Sequence, residues 1–256
     1  MSRVALVSGG GRGIGKAISL ALAEDGCDVA VNYRKDVDAA EQTVKEIEAL
    51  GRRAVAVAGN VGEWEDCERL VGQAVDALGP MSILVHNGGI ASRGNSVVDT
   101  DPAEFDRVVK THLYGGFYLA KLCIPHMRSA GGRGDIVMIS SVATDGLAPN
   151  SAPYNAGKSG LEAVTYGLAK EVQRDGIHVN IVAPGLVATD MGDRLTKAMT
   201  GGAAATADAL DANAPFGHVC RPEEVADVVR WLCSDGARYV HGVRIRVDGG
   251  GSALAR

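Results

Sequence analysis

The feature that most constrains this chain is the alternation, along its whole length, of short apolar β-rich runs with longer amphipathic ones. Val4–Val7 reads as a strand, Gly15–Glu24 as a helix and Val29–Asn32 as a strand. Asp38–Leu50 follows as a helix with apolar residues at helical spacing (Ala40, Val44, Ile47), ended by Gly51. Val55–Ala58 is the next strand and Glu63–Leu78 the next helix, closed by Gly79. Ile83–His86 and Ile136–Ser140 are further strands, separated by helical stretches at Asp101–Leu113 and Phe117–Arg128. A long helix runs from Pro153 to Asp175, then come strand Val179–Val182, an Ala/Gly-rich stretch over 190–218, helix Pro222–Ser234 and strand Val243–Val247. Near-continuous apolar strands, each followed by a helix, call for a sheet buried on both faces. Right-handed crossovers then give a doubly wound three-layer α/β/α sandwich with a mostly parallel sheet of about seven strands. No linker interrupts the pattern, so one domain over residues 1–256 is expected.

The bulk numbers narrow the function. With 256 residues, 46% hydrophobic and 22% charged, the chain can bury one full core. Its 34 glycines follow no fixed period, which excludes collagen-like and low-complexity readings. A net charge of −5 argues against a nucleic-acid surface, and no run of like charges suggests a polybasic membrane anchor. Five cysteines (Cys27, Cys67, Cys123, Cys220, Cys233) are scattered, with no C-x-x-C pair. Reduced thiols are expected, with neither a disulfide framework nor a metal site. Met1-Ser2-Arg3-Val4 enters an apolar strand at once, with no signal-peptide core, and no apolar stretch is long enough for a membrane. A soluble, cytoplasmic protein is the expectation.

Three clusters carry chemistry. The first strand runs into Ser8-Gly9-Gly10-Gly11-Arg12-Gly13-Ile14-Gly15 at the start of a helix. Helix starts expose unpaired N–H groups and the positive dipole end, which suits a pyrophosphate. The spacing is G-x-x-x-G-x-G, and a glycine-rich turn alone also serves a plain strand–helix connection. Tyr154 and Lys158 lie at i and i+4 on the long helix, so phenol and ammonium share a face. A nearby cation favours phenolate and brings a tyrosine closer to useful acid–base poise. Ser141 ends the strand beginning at Ile136, at the edge where open α/β sheets place ligands.

Taken in order, Gly9/Gly13/Gly15, Asn87-Gly88-Gly89, Ser141, Tyr154-x-x-x-Lys158, Pro184-Gly185-x-x-x-Thr189 and Asp248-Gly249-Gly250 resemble the short-chain dehydrogenase/reductase family. Among its members the 3-oxoacyl-[acyl-carrier-protein] reductases are the nearest in pattern. The resemblance runs from Val4 to about Gly250 and implies a Rossmann-type fold and hydride transfer between a nicotinamide and a carbonyl or secondary alcohol. It implies that Ser141 hydrogen-bonds the substrate oxygen, with Ser140 as the adjacent alternative, while Tyr154 gives that oxygen its proton during reduction. Lys158 would also hold the nicotinamide ribose. The dinucleotide would lie along Gly9, Arg12, Gly13, Ile14 and Gly15, then Asn60 and Val61, then Asn87, Gly88 and Gly89. Pro184, Gly185, Val187 and Thr189 would close its nicotinamide end.

One departure stands out: His112 occupies the position of the family's asparagine, which positions a water in a proton relay to the lysine. Neutral histidine both donates and accepts, so it can replace that asparagine. The expectation is an active enzyme whose relay responds to pH around histidine's own titration; the plainer reading is that His112 only packs. For the cofactor, Val31-Asn32-Tyr33-Arg34-Lys35 has tyrosine where NAD-preferring relatives place an acid. Arg34, with Arg12 in the glycine loop, favours the 2′-phosphate of NADP(H) over NAD(H), although Arg34 and Lys35 also suit a solvated turn. The segment 190–217 reads as a substrate-covering lid. Arg128, Arg133 and Arg174 are candidates for a carrier-protein patch. The substrate is a small carbonyl or alcohol, free or carrier-bound, and a thioester, sugar, steroid or cyclic ketone all remain open. The rival from another class is an inactive nucleotide-sensing protein. The resemblance also implies a homotetramer or homodimer, formed through the helices spanning Asp101–Arg128 and Pro153–Asp175 and through the C-terminal strand.

Overall fold

Side chains along a strand point alternately to opposite faces, so a strand that is apolar at every position needs a helical layer on each side. The computed structural model, which describes residues 2–251, supplies both layers. Its elements are β1 (Val4–Ser8), α1 (Gly13–Glu24), β2 (Asp28–Tyr33), α2 (Val37–Ala49), β3 (Ala54–Ala58), α3 (Trp64–Leu78) and β4 (Ile83–His86). They continue with α4 (Pro102–Val109), a π-helical turn (Lys110–Tyr114), α5 (Gly115–Ala130), β5 (Gly134–Ile139), α6 (Ala143–Gly146) and α7 (Ala152–Val172). The last are β6 (Ile177–Pro184), α8 (Asp190–Met199), α9 (Pro222–Leu232) and β7 (Arg244–Val247). In β1, Leu6 packs into one core with Leu70 of α3, Leu119 of α5 and Leu161 of α7. Its neighbours Ala5 and Val7 pack into the other, with Ile18 of α1, Ile47 of α2 and Val225 of α9.

The sheet has seven strands in the order β3-β2-β1-β4-β5-β6-β7. Where a mostly parallel sheet was expected, all six neighbouring pairs are parallel. The strand order reverses between β1 and β4, which opens a crevice at their carboxyl ends. Ser8, Asn87, Ser141 and Gly185 all lie at or just past strand ends on that edge.

Four expectations change in detail. The stretches Asp101–Leu113 and Phe117–Arg128 form one continuous helical run: the π turn absorbs an extra residue through a Gly115 N–H to Lys110 carbonyl bond. Strand β5 ends at Ile139, so Ser140 and Ser141 lie beyond it in a turn. The segment 190–217 is largely helical, with α8 followed by 3-10 turns at Ala207–Asn213 and Pro215–Gly217. Thr189 caps α8 by accepting from Gly192 N at 3.1 Å, and Arg221 pairs with Asp208 and Asp211, which gives this glycine-rich stretch an order its composition does not suggest. Finally, Arg133 pairs with Asp135 at the start of β5, and Arg128 pairs with Asp175 just before β6. Both therefore sit at the amino edge of the sheet, opposite the crevice, and form no patch at its mouth; Arg174 is on the same edge.

That amino edge is stitched by charge. Asp28, almost fully buried, accepts from Ser2 Oγ at 2.8 Å, Arg52 Nη2 at 2.7 Å and Arg53 Nη2 at 2.8 Å. Burial pushes its carboxyl up, but the bonds from Ser2, Arg53 and Arg52 outweigh burial and hold it down at about 2. The stability this contributes is present above the ordinary aspartate value of 3.8 and is lost as pH falls towards 2. Asp28→Asn should therefore cost about 2 kcal/mol in urea unfolding at pH 7, with the gap from wild type shrinking as the solution is acidified through that window.

Candidate functional site

The crevice begins at the glycine turn. Helix α1 starts without a side-chain cap, so its first N–H groups stay open for an anion. The turn is compact enough that a Cβ at Gly15 would lie 2.1 Å from the Gly9 carbonyl oxygen and 2.6 Å from Asn87 Nδ2, so only glycine fits. Gly9 and Gly13 have φ of +62° and +51°, the left-handed region that glycine enters freely. Two buried side chains with no motif to mark them fix the turn. Asn32 accepts from Gly10 N through its main-chain carbonyl (2.9 Å) and from Gly9 N through its side-chain carbonyl (3.3 Å), while its Nδ2 donates to the Val57 and Gly59 carbonyls. Ser8 Oγ accepts from Asn87 N at 3.0 Å and Gly88 N at 2.8 Å, and Asn87 Nδ2 donates back to the Ser8 carbonyl at 3.1 Å.

These bonds determine a histidine tautomer. Both lone pairs of Ser8 Oγ are used, so its hydrogen goes to His86 Nδ1 at 3.0 Å. Burial, and then the charge of Lys158, push His86 down to about 3, so the ring is neutral and its proton sits on Nε2. That N–H donates to the His112 carbonyl at 3.0 Å. His86 thus ends β4 as a strand residue, as expected, but it also bridges the glycine turn to the π turn. Glycines make the bridge possible: a Cβ at Gly115 or Gly116 would meet the His86 ring at 3.1 or 3.2 Å.

His112 itself is buried on the π turn. Its Nε2 lies 2.8 Å from the Ile90 carbonyl and 3.4 Å from the Ile90 N–H; the shorter contact puts the proton on Nε2, and the buried Nδ1 has no partner among the described residues. Burial, and next the Lys158 charge, hold it well below histidine's ordinary value. The expectation of a relay that responds around histidine's own titration is therefore corrected: the ring stays neutral through that range. It packs edge-on to Tyr154 with centroids 5.1 Å apart and rests on Gly157, where a Cβ would lie 3.0 Å from its own.

Tyr154, Lys158 and Ser141 converge beside it. Lys158 is buried, its Nζ donates to the Ile139 carbonyl at 2.6 Å, and it lies 5.9 Å from the Tyr154 ring centroid. Burial pulls this ammonium down to about 7, against the opposing charge of Glu162. Tyr154 moves up from its ordinary value because burial outweighs the hydroxyl of Ser141 facing it. The expectation that the lysine brings the phenol down is thus not met in this arrangement: desolvation dominates. Ser141 Oγ accepts from Ala143 N at 3.2 Å and faces the Tyr154 hydroxyl. The adjacent Ser140 Oγ instead bonds Glu162.

The other named residues ring the same crevice. Thr189 packs against Gly13, its Cγ2 being 3.3 Å from where a Cβ would stand. Pro184 ends β6, Gly185 faces Asp248, and Val187 bridges to Cys220. Asn60 is turned locally, its Oδ1 accepting from Gly62 N at 3.3 Å, and Val61 packs on Gly88 and Gly115. Arg12 and Arg34 are exposed and make no ion pair among the described residues. No helix of the described residues is long and apolar enough to cross a membrane.

Two neutral buried histidines have a measurable consequence. Unfolded, each takes up a proton near 6.5, which the folded chain refuses. Stability should therefore fall as pH drops below 6.5, by about 1.4 kcal/mol per pH unit for each ring. Urea unfolding between pH 6.5 and 5 should show this slope, and His86→Asn and His112→Asn should each remove about half of it. Buried Lys158 acts in the same sense at higher pH, because the unfolded chain holds its proton up to 10.5 and the folded chain only to about 7. Lys158→Met should thus melt above wild type at pH 7, with the gap closing towards pH 10.5.

Comparisons with known proteins agree with this geometry. Residues 9–252 match a family model described as enoyl-(acyl carrier protein) reductase. The chain is 37% identical over 253 residues to a versicolorin reductase of Emericella nidulans, covering 97% of this chain and 95% of that protein. It is 35% identical over 250 residues to a 3-oxoacyl-[acyl-carrier-protein] reductase of Staphylococcus aureus, covering 98% of each. A short-chain dehydrogenase of Burkholderia cenocepacia, solved in complex with NADP, superposes with a TM-score of 0.86 at 33% identity, covering 99% of this chain and 98% of that one. With its Rossmann-type parallel sheet, its glycine turn and its Ser–Tyr–Lys cluster, the chain belongs to the short-chain dehydrogenase/reductase family of oxidoreductases.

Proposed function

We propose that the chain is a cytoplasmic, NADP(H)-dependent ketone reductase, running in reverse as a secondary-alcohol dehydrogenase, with Ser141, Tyr154 and Lys158 as its catalytic residues. The observation that carries this reading is the meeting of a protonated phenol, the serine hydroxyl facing it and a buried lysine at the carboxyl edge of the sheet, beside an open helix N-terminus.

The residues fit a dinucleotide. The uncapped N-terminus of α1 and the turn Gly9–Gly15 would hold the pyrophosphate, with Ile14 at the first helical turn. Asn60 and Val61 would hold its adenine end, Asn87, Gly88 and Gly89 its middle, and Pro184, Gly185, Val187 and Thr189 its nicotinamide end. Arg12 and Arg34, free of ion pairs among the described residues, suit a 2′-phosphate. When bound, the nicotinamide supplies or takes up a hydride at the carbonyl carbon.

The chain's own groups handle the oxygen. Ser141 Oγ donates to the carbonyl oxygen and Tyr154, kept protonated by burial, transfers its proton there as negative charge develops. Lys158, half-charged near neutrality, steadies the phenolate that results. His112 stands in for the family's asparagine: its unpartnered Nδ1 accepts from a relay water while Ile90 fixes the ring. The likeness to 3-oxoacyl-[acyl-carrier-protein] reductases makes a 3-oxoacyl thioester the leading substrate class, with sugar, steroid and cyclic ketones as the alternatives. The exposed apolar face of Phe105, Tyr114 and Phe117, running from α4 to α5, supports association into a dimer or tetramer. An inactive nucleotide sensor is the second reading, favoured by His112 at the asparagine position.

The test is absorbance at the reduced-nicotinamide band with NADPH or NADH and a panel running from a 3-oxobutyryl thioester to cyclic ketones. Turnover with NADPH is expected, and Tyr154→Phe should abolish it. Binding of NADPH without turnover by any probe would instead favour the sensor. In the same assay, Arg12→Ala and Arg34→Ala should each weaken NADPH binding about tenfold and leave NADH binding unchanged. Equal losses for both cofactors would overturn the assignment to NADP(H).

A further inference from the structure

Tyr154, Lys158 and Glu162 stand at i, i+4 and i+8 of α7, so one face of the helix presents a phenol, an ammonium and a carboxylate in line. The first two carry the proposed ketone chemistry, and the role inferred for the third rests on that reading. Glu162 takes no direct part in the chemistry, yet its side chain is only 14% exposed. Its Oε1 accepts from Ser140 Oγ, from Thr144 Oγ1 at 3.0 Å and from Arg244 Nε at 2.9 Å. Arg244, on the edge strand β7 and 15% exposed, points its Nη2 at the Ser141 carbonyl (3.1 Å), Thr144 Oγ1 (2.9 Å) and Asp145 Oδ1 (3.0 Å).

Apart from the Tyr154–Ser141 contact itself and a longer Arg246–Asp145 pair at 3.6 Å, the side chains among the described residues that hydrogen-bond or ion-pair to the Ser140–Asp145 turn from outside it are Glu162 and Arg244. The backbone ties of this turn, Ser140 N to Val182 O and Val142 N to Pro184 O, hold it to β6 but not to α7. Nor is the pair needed to seat β7, which already pairs with β6 from Arg244 to Val247. An ion pair this deeply buried adds little stability over apolar packing. What it offers is direction, since a planar guanidinium donates and a carboxylate accepts along fixed lines.

We propose that Glu162 and Arg244 are positioning residues of the active site, tying the turn that carries Ser141 to the helix face that carries Tyr154 and Lys158, so that both hydroxyls meet one substrate oxygen. Glu162 also sets the charge balance around Lys158, where the other facing groups are the neutral rings of His86 and His112 and the Tyr154 phenol. Removing its charge leaves burial unopposed, so the lysine should then give up its proton at lower pH.

The experiment compares wild type, Glu162→Gln, Arg244→Met and the double variant. Hydrogen exchange over residues 140–147 reads the turn directly and needs no substrate. Kinetics with NADPH and 3-oxobutyryl coenzyme A, or whichever carbonyl probe turns over, read its effect. Both single variants should lose protection across this turn, while exchange in β1 and β4 and the NADPH affinity stay as in wild type. kcat should fall about tenfold at unchanged KM, because misplaced groups slow the step without weakening binding. The double variant should be no worse than the poorer single one, since both act on one turn. In Glu162→Gln the acid limb of the pH–rate profile should also move to lower pH. Unchanged exchange over 140–147 in both variants overturns the proposal, as does additive loss or loss that merely follows the melting temperature. If wild type turns over no probe, the catalytic reading fails and the exchange result alone decides this one.

Discussion

At the point where the strand order reverses, two chain crossings must come within van der Waals contact, and the rest of the site hangs on that contact. Ser8 closes β1 and uses both lone pairs on the amides that follow β4, while Asn87 donates back to the Ser8 carbonyl. In the turn that follows, the Gly9 carbonyl and the Asn87 side chain leave Gly15 no room for a side chain, and the N-terminus of α1 opens at the crevice. The same hydroxyl, having no lone pair left, directs its hydrogen into His86 and so decides which nitrogen of that ring carries a proton. One serine therefore links the anion cradle, the histidine bridge and the π turn that holds His112.

Burial is the second organising force. Lys158, His86 and His112 all lie in the apolar seam between sheet and helices, and each is pushed towards its neutral form. For the histidines this keeps the rings neutral, so that their hydrogen bonds to Ser8, the His112 carbonyl and the Ile90 carbonyl choose the tautomer. For the lysine it places the proton equilibrium near neutrality, where a group that must share charge with a phenolate is useful. The cost is acid and neutral-pH stability, a common exchange at sites built for reactivity.

Much of the architecture could be read in advance because parallel strands covered on both faces are apolar at nearly every position. The strand–helix alternation, the glycine turn and the Tyr154–Lys158 pair were all legible for that reason. The π turn was not, since an extra residue in a helix leaves the apolar spacing almost unchanged and looks like a break at Leu113. The roles of Ser8 and Asn32 were equally hidden: each is a small polar residue on an apolar strand, and only its partners reveal what it does. Glu162 did leave a signal, four residues beyond Lys158 on the same helical face, but its meaning depended on Arg244, 82 residues later. Arg128 and Arg133 misled although their place ahead of β5 already puts them at the amino edge of a parallel sheet, away from the crevice.

By itself the sequence determined the layers, the glycine turn and the helix face bearing Tyr154 and Lys158, because these rest on local periodicity and on residues close together in the chain. The tertiary structure decided the rest: the neutrality of His112, the upward shift of Tyr154, the direction of Lys158 and the clamp on the Ser141 turn. All four follow from desolvation and from hydrogen bonds between segments far apart in sequence, and neither has a magnitude until the chain has folded.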